Sequence, residues 1–182
     1  MIDLFAVRAA AAHRTNRVHL KARQTFRHRD VANLARWVEN ELGAYCGFEE
    51  DRQFPELGIN LNALQPGQPM CMYHREGHQE DFLVLRGECL LIVEGQERPL
   101  AQWDFVHCPR DVPHVIVGAG TGPSLVLAVG GRVGPEDLLY PVDPVALAHG
   151  AGVETETPLG AEAYARFTPP SETPFREEFL PG

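Results

Sequence analysis

The feature of this sequence that most constrains its fold is a series of short apolar segments between residues 59 and 129. Turn-forming pairs such as Pro66-Gly67 and Glu94-Gly95 separate the segments, and the chain is rich in turn formers, with 17 glycines and 15 prolines. Short strands divided by turns at intervals of roughly 8–12 residues are typical of antiparallel barrels and sandwiches. The sequence therefore predicts an all-β fold. Its predicted strands are Ile59–Leu64, Met70–Tyr73, Phe82–Leu85, Cys89–Val93, Phe105–Cys108, Val115–Val117 and Leu125–Val129.

A helix is predicted ahead of these strands, over Asp30–Leu42. Its first residue can accept hydrogen bonds from the N–H groups of the first turn. The apolar side chains of Val31, Leu34 and Val38 recur at the spacing of one helix face. Gly43 follows as a natural stop. We expect this helix to lie at the periphery of the fold, packed against the outside of the sheet.

Two flanking segments differ from the predicted barrel in composition. Residues 1–29 hold seven arginines and lysines but one acidic residue, and we expect a poorly ordered basic arm there rather than an organelle transit peptide. Residues 133–182 hold eight of the fifteen prolines, so we expect an irregular extension with short helices near 144–149 and 160–165. The predicted organisation is thus the arm (1–29), the helix and lead-in (30–57), the barrel (58–132) and the Pro-rich C-terminal extension (133–182).

Charge, hydropathy and cysteine content exclude several classes of function. The net charge of −9 at pH 7 is unsuited to nucleic acid, which needs a basic surface. No apolar run reaches about 18 residues, so we expect no membrane span. The four cysteines, Cys46, Cys71, Cys89 and Cys108, form no CxxC pair. We therefore expect reduced thiols in a cytoplasmic protein.

Polar residues that are costly to bury interrupt the apolar pattern near residue 74. Side chains alternate between the two faces of a strand, so Met72, His74 and Glu76 share a face, and Met72 indicates that this face points inward. A buried His and Glu need a partner or a metal ion. Glu80 begins the next strand after a turn and can face back toward His74. The same alternation places Cys71 on the opposite face from His74, which argues against a Cys–His zinc site.

A second inward-facing imidazole is predicted at His114. This residue follows Pro113 and opens an apolar strand, on the same face as Ile116. If that face is interior, the His114 ring is buried and also needs a polar partner.

The residues around His74 resemble the first motif of the cupin family. That motif contains a His, a second His two residues later, then a Glu and a closing Gly. His74, Glu80 and Gly87 stand at three of these places. Glu76 stands where the second His is usual, and this departure bears on the chemistry of the site.

The residues around His114 resemble the second cupin motif. Asp104, Pro109 and His114 match it, whereas Trp103 stands where a Gly usually precedes the Asp. The resemblance covers about residues 58–132. It implies a double-stranded β-helix, the jelly-roll-like barrel of the cupins.

The resemblance implies one divalent metal ion, because the two cupin motifs together supply its ligands. Carried over to this sequence, the set is His74, Glu76, Glu80 and His114. Imidazole and carboxylate ligands suit Fe, Mn, Co, Ni or Zn and disfavour Cu(I). Three alternatives stay open. Glu76 could accept a hydrogen bond instead of binding the ion, His78 could be the fourth ligand, and the group could be a hydrogen-bonded cluster without a metal.

The resemblance to cupin dioxygenases implies an oxidoreductase in which Glu80 or Glu76 also acts as a base. Met72, Phe82 and Ile116 would line its pocket, which favours a small, partly apolar or aromatic ligand. Because a fold does not fix a function, other hypotheses stay open. They are a sugar isomerase or decarboxylase at the same site, a non-catalytic small-molecule sensor, and a structural dimerisation barrel. We expect a homodimer.

Overall fold

Ten short strands form two antiparallel sheets in the computed structural model, which describes residues 36–47, 54–134 and 137–179. The larger sheet has seven strands in the order β10-β1-β2-β3-β9-β4-β7, and the smaller has three in the order β6-β5-β8. This arrangement confirms the predicted all-β fold. The strands are β1 (Arg36–Asn40), β2 (Gly43–Gly47), β3 (Leu57–Leu64), β4 (Glu80–Arg86), β5 (Glu88–Val93), β6 (Gln96–Leu100), β7 (Phe105–Cys108), β8 (His114–Ala119), β9 (Ser124–Gly131) and β10 (Ser171–Thr173).

The main apolar core draws side chains from both sheets. Along β4 the pattern alternates, with Phe82 and Val84 buried and Leu83 half-buried between them. On β8 every residue from 114 to 118 is buried. Removing these apolar side chains from water is the dominant force that holds the two sheets together. The core consists of Leu64, Phe82, Val84, Cys89, Leu91, Cys108, Ile116 and Val126.

The predicted strand Met70–Tyr73 is not a regular strand. The chain there pairs with β8 only at isolated bridges, Pro69 with Val117 and His74 with His114. A proline has no N–H group to donate to a ladder, so regular pairing cannot run through Pro69. The other six predicted segments all lie within strands.

The predicted helix Asp30–Leu42 is wrong in its second half, because Arg36–Asn40 is strand β1. Residues 30–35 lie outside the described residues. Trp37 is 2% exposed, and its ring stacks on that of Phe179 with centroids 4.8 Å apart. Burial of this large aromatic surface by a distant residue outweighs the helical spacing of the smaller side chains around it.

A tight hairpin at Gly43 joins β1 to β2. The backbone of Gly43 has a φ of +112°, a conformation that favours glycine. A Cβ at this position would lie 2.9 Å from the carbonyl oxygen of Ala63 on β3. Asn40 Oδ1 accepts the N–H of Leu42 at 2.9 Å and closes the turn. The glycine predicted to stop a helix therefore turns a hairpin instead.

The C-terminal extension packs on the barrel and contributes to its sheet. It contains the two predicted helices, α1 (Pro144–Ala148) and α2 (Gly160–Ala163), then β10 and a 3₁₀ turn (Glu177–Phe179). β10 pairs with β1, so the larger sheet extends beyond the predicted barrel boundaries on both sides. The predicted basic arm, residues 1–29, lies outside the described residues. Within the described parts of the chain, no helix has the length and apolarity needed to span a membrane.

Candidate metal centre

The backbone brings the two candidate imidazoles together. His74 and His114 form an antiparallel bridge in which His114 N–H donates to His74 O at 2.9 Å and His74 N–H donates to His114 O at 3.2 Å. Glu80 is the first residue of β4 in the larger sheet, whereas His114 is the first residue of β8 in the smaller one. The candidate centre therefore lies where the two sheets face each other.

Three of the four predicted ligands form one compact group. One ligand atom from each of His74, Glu80 and His114 lies within 4.8 Å of the others. Glu80 Oε2 is 3.1 Å from His114 Nε2 and 3.4 Å from His74 Nε2. Glu76 Oε1 is 3.3 Å from His74 Nε2, at the edge of the group.

Backbone carbonyls orient both imidazoles in the same way. His74 Nδ1 donates to the carbonyl of Met72 at 2.8 Å, and His114 Nδ1 donates to that of Val112 at 2.9 Å. In the neutral rings the lone pairs on Nε2 then point at Glu80. Glu80 Oε2 and His114 Nε2 are both buried and have no hydrogen-bond partner among the described residues. A carbonyl holding the far nitrogen of a ligating His is the usual arrangement around a protein-bound metal, and a cation would satisfy both atoms.

The electrostatics of the group favour positive charge between these side chains. Burial alone would raise the pKa of Glu80, but the adjacent imidazoles of His114 and His74 lower it to about 2. Burial likewise opposes charge on His114, but the neighbouring Cys108 and Glu80 raise its pKa to about 10. The pKa of His74 is also raised, against its burial, through Cys71, Glu76 and Glu80. Such a site suits a bound cation.

Two members of the group, His74 and Glu80, lie on the wall of a cavity of about 900 Å³. His74, Glu76, Glu80 and Phe82 line it, as predicted for Phe82. Most of the remaining wall is apolar. A cavity of this size and character accommodates a small organic molecule.

Residues 60–130 match the family model of the cupin domain. This part of the chain belongs to the cupin superfamily. No curated protein matches this cupin in sequence.

Solved structures share the fold of this cupin at low sequence identity. One is a protein from Acidithiobacillus ferrooxidans provisionally named a sugar phosphate isomerase, with 22% identity and a TM-score of 0.54; the match covers 63% of this chain and 78% of that one. Another is the polyketide cyclase RemF from Streptomyces resistomycificus, with 15% identity and a TM-score of 0.53, covering 69% and 92% of the two chains. At these identities the likeness concerns the fold alone.

Two predicted pocket residues of this cupin do not line the cavity. Met72 packs instead with Tyr140, Val153 and Ala163 on the C-terminal extension, and Ile116 lies in the core between the sheets. Met72 belongs to the irregular segment before His74, where strand alternation does not apply. Sequence alternation therefore gave the wrong direction for its side chain.

Other candidate residues fall outside the group. His78 packs against Gly131, where an added Cβ would lie 3.4 Å from the Cβ of His78. It is not one of the three residues whose ligand atoms cluster. The exposed His107 pairs with Asp81 at 2.6 Å on the outer face of the sheet. The prediction that Cys71 lies on the opposite face from His74 is wrong, because Cys71 Sγ lies 3.6 Å from His74 Nδ1.

Sequence reasoning missed most of the cavity wall. Asn60 and Asn62 of β3 line it, as do Tyr140 and Tyr164 from the C-terminal extension. The two asparagines alternate with apolar residues along a predicted strand, which could have marked them as inward-facing. No sequence signal could have identified the tyrosines, because their position depends on how the extension folds back.

Proposed function

We propose that this cupin binds one divalent metal ion through His74, Glu80 and His114. The observation that carries the proposal is the convergence of two buried imidazole nitrogens on one buried carboxylate oxygen, with both rings held by carbonyls. Glu80 Oε2 and His114 Nε2 lie 3.1 Å apart, a pair of atoms that either a proton on the ring or a bound cation can bridge. The donor set therefore fits a metal ion.

We further propose that the protein is a metalloenzyme of the dioxygenase type. Two His and one carboxylate, with coordination positions left for other ligands, are the set used by non-haem iron oxygenases. When bound, the ion would supply a redox centre and a Lewis acid. The cavity beside it would hold the substrate.

The cavity walls favour a small molecule with an apolar body and oxygen groups at one end. Phe82, Leu138 and Phe167 supply apolar surface, while the candidate ligands form one polar region of the wall. Glu76 lines the cavity with 26% of its side chain exposed. We propose that Glu76 is the base that accepts a proton from the bound molecule.

The first experiment is elemental analysis of protein purified without chelators or affinity metals. The expected result is about one equivalent of Fe, Mn, Co, Ni or Zn in the wild type and in His107→Ala, a control that removes an exposed imidazole. His74→Ala and His114→Ala should retain far less metal while remaining folded by circular dichroism. Wild-type protein that takes up none of the five ions, even after reconstitution, would refute the metal site.

Oxygen uptake then tests the class of reaction. The iron-loaded protein is mixed with a panel of catechols and enediols in an oxygen electrode, beside His114→Ala. Consumption of oxygen in step with loss of one compound would support dioxygenase chemistry. Conversion of a compound without oxygen uptake would instead favour an isomerase or a decarboxylase.

A further inference from the structure

Tyr140 brings a hydroxyl group to the cavity from outside the barrel. Its backbone pairs with Thr157, with Tyr140 N–H donating to Thr157 O at 2.9 Å and the reverse bond at 3.2 Å. The preceding Leu139 pairs in the same way with Arg75, the neighbour of His74. The rings of Tyr140 and His74 lie 6.0 Å apart, centroid to centroid. Tyr140 is therefore anchored directly beside the candidate metal centre.

Tyr164 holds the Tyr140 side chain in place. The two rings meet edge to face, with centroids 5.8 Å apart and planes at 90°. Tyr164 Oη accepts the backbone N–H of Met72 at 3.1 Å. Met72 is also the residue whose carbonyl holds Nδ1 of His74. The backbone of Met72 thus links the ring of His74 to Tyr164.

The Tyr140 hydroxyl lies at the cavity wall. A tyrosine hydroxyl has an ordinary pKa of about 10, so it is a neutral phenol that can donate a hydrogen bond near pH 7. Gly160 also lines the cavity, and a Cβ there would lie 3.5 Å from Tyr140 Oη. The Tyr140 hydroxyl therefore borders the space that a bound molecule would fill.

We propose that Tyr140 donates a hydrogen bond to an oxygen atom of the molecule that binds at the candidate metal centre, and that Tyr164 is the positioning residue that aims it. This inference rests on the proposed function, since the metal ion is what would hold that oxygen nearby. A hydrogen bond to a charged oxygen is stronger than one to a neutral oxygen. The arrangement therefore selects molecules that bind as phenolates or enolates, such as catechols and enediols.

The test is an optical titration of zinc-loaded protein with 4-nitrocatechol, because zinc has no redox chemistry and the colour of this probe reports its ionisation. The proteins are the wild type, Tyr140→Phe, Tyr164→Phe and a matched control, Tyr73→Phe. Tyr73 is 2% exposed and lies outside the cavity. Each protein is first checked for its zinc content and its unfolding temperature. The dissociation constant and the pKa of the bound probe are then measured.

Tyr140→Phe should keep its zinc, bind the probe about ten-fold more weakly and raise the pKa of the bound probe. A purely structural role would not move that pKa in a protein that keeps its zinc and its unfolding temperature. Tyr164→Phe should shift both quantities in the same direction by less, and Tyr73→Phe should match the wild type. If Tyr140→Phe does not fold, the Tyr164→Phe shifts decide the question.

Two outcomes would overturn the inference alone. In one, zinc-loaded Tyr140→Phe binds the probe as the wild type does, with an unchanged probe pKa. In the other, the zinc-loaded wild type fails to bind the probe. Wild-type protein that takes up no zinc or any other ion would overturn the proposed function, and this inference with it.

Discussion

Glu80 and Glu76 differ in environment although both carboxylates lie near His74. Glu80 Oε2 is within 3.4 Å of both imidazoles, is fully buried and lacks a hydrogen-bond partner among the described residues. Glu76 approaches one imidazole alone, at 3.3 Å, and belongs to the cavity wall. A carboxylate placed like that of Glu80 can bind a cation together with both rings. One placed like that of Glu76 can also interact with a molecule in the cavity.

Replacing each carboxylate by its amide should separate these two roles. Glu80→Gln removes the charge between the imidazoles and should weaken zinc affinity by more than about 100-fold. Glu76→Gln should weaken it by about ten-fold, as expected for a residue that supports a ligand. The measurement is a competition titration against a chromophoric chelator. Equal losses in the two variants would identify Glu76 as a full ligand.

At the scale of elements, the glycine that begins β2 is packed more tightly than another glycine with a positive φ. Gly43 and Gly67 both have positive φ, +112° and +83°. An added Cβ at Gly43 would lie 2.9 Å from the carbonyl oxygen of Ala63, whereas at Gly67 nothing lies within 4 Å. The two positions therefore share a backbone conformation that favours glycine but differ in packing.

Gly43→Ala should destabilise the protein more than Gly67→Ala. The left-handed conformation costs a non-glycine residue about 1–2 kcal/mol, and we expect Gly67→Ala to show that cost. Gly43→Ala adds the close approach to β3, so we expect a loss of about 3 kcal/mol. The free energy of unfolding is measured in urea. Similar values for the two variants would contradict the close packing of Gly43 against β3.

At the scale of the whole molecule, the candidate centre depends on elements far apart in the chain. The smaller sheet supplies His114, the larger sheet supplies Glu80, and the irregular segment bridged to β8 supplies His74. An ion bound by all three would connect these parts only in the folded state. Binding should therefore stabilise the fold as a whole.

Metal removal should lower the unfolding temperature of the wild type. Free metal at 100 times its dissociation constant contributes about 2.7 kcal/mol, which for a domain of this size is a change in Tm of about 5–10 °C. The measurement is calorimetry with and without EDTA. His107→Ala should respond as the wild type does, whereas His114→Ala should not respond. A wild-type Tm that is the same in both conditions would contradict the prediction.

The sequence by itself determined the elements whose pattern is local. Short apolar segments between turn formers identify β4, β5 and β8, because burial of an apolar segment in a sheet needs no knowledge of its partner. A similar argument identified the candidate ligands. His74, Glu80 and His114 are polar residues within apolar segments, at the spacings of the cupin motifs, and ionisable groups are seldom buried there without a partner or a metal.

Only the tertiary structure decided the features that depend on distant residues. Trp37 lies in a strand rather than a helix because Phe179, far along the chain, covers its ring. Met72 turns away from the cavity because its segment pairs with β8 at single bridges. Tyr140 reaches the cavity because the C-terminal extension folds back across it. In each case the free energy comes from contacts between residues that are remote in sequence, and local propensity carries no information about them.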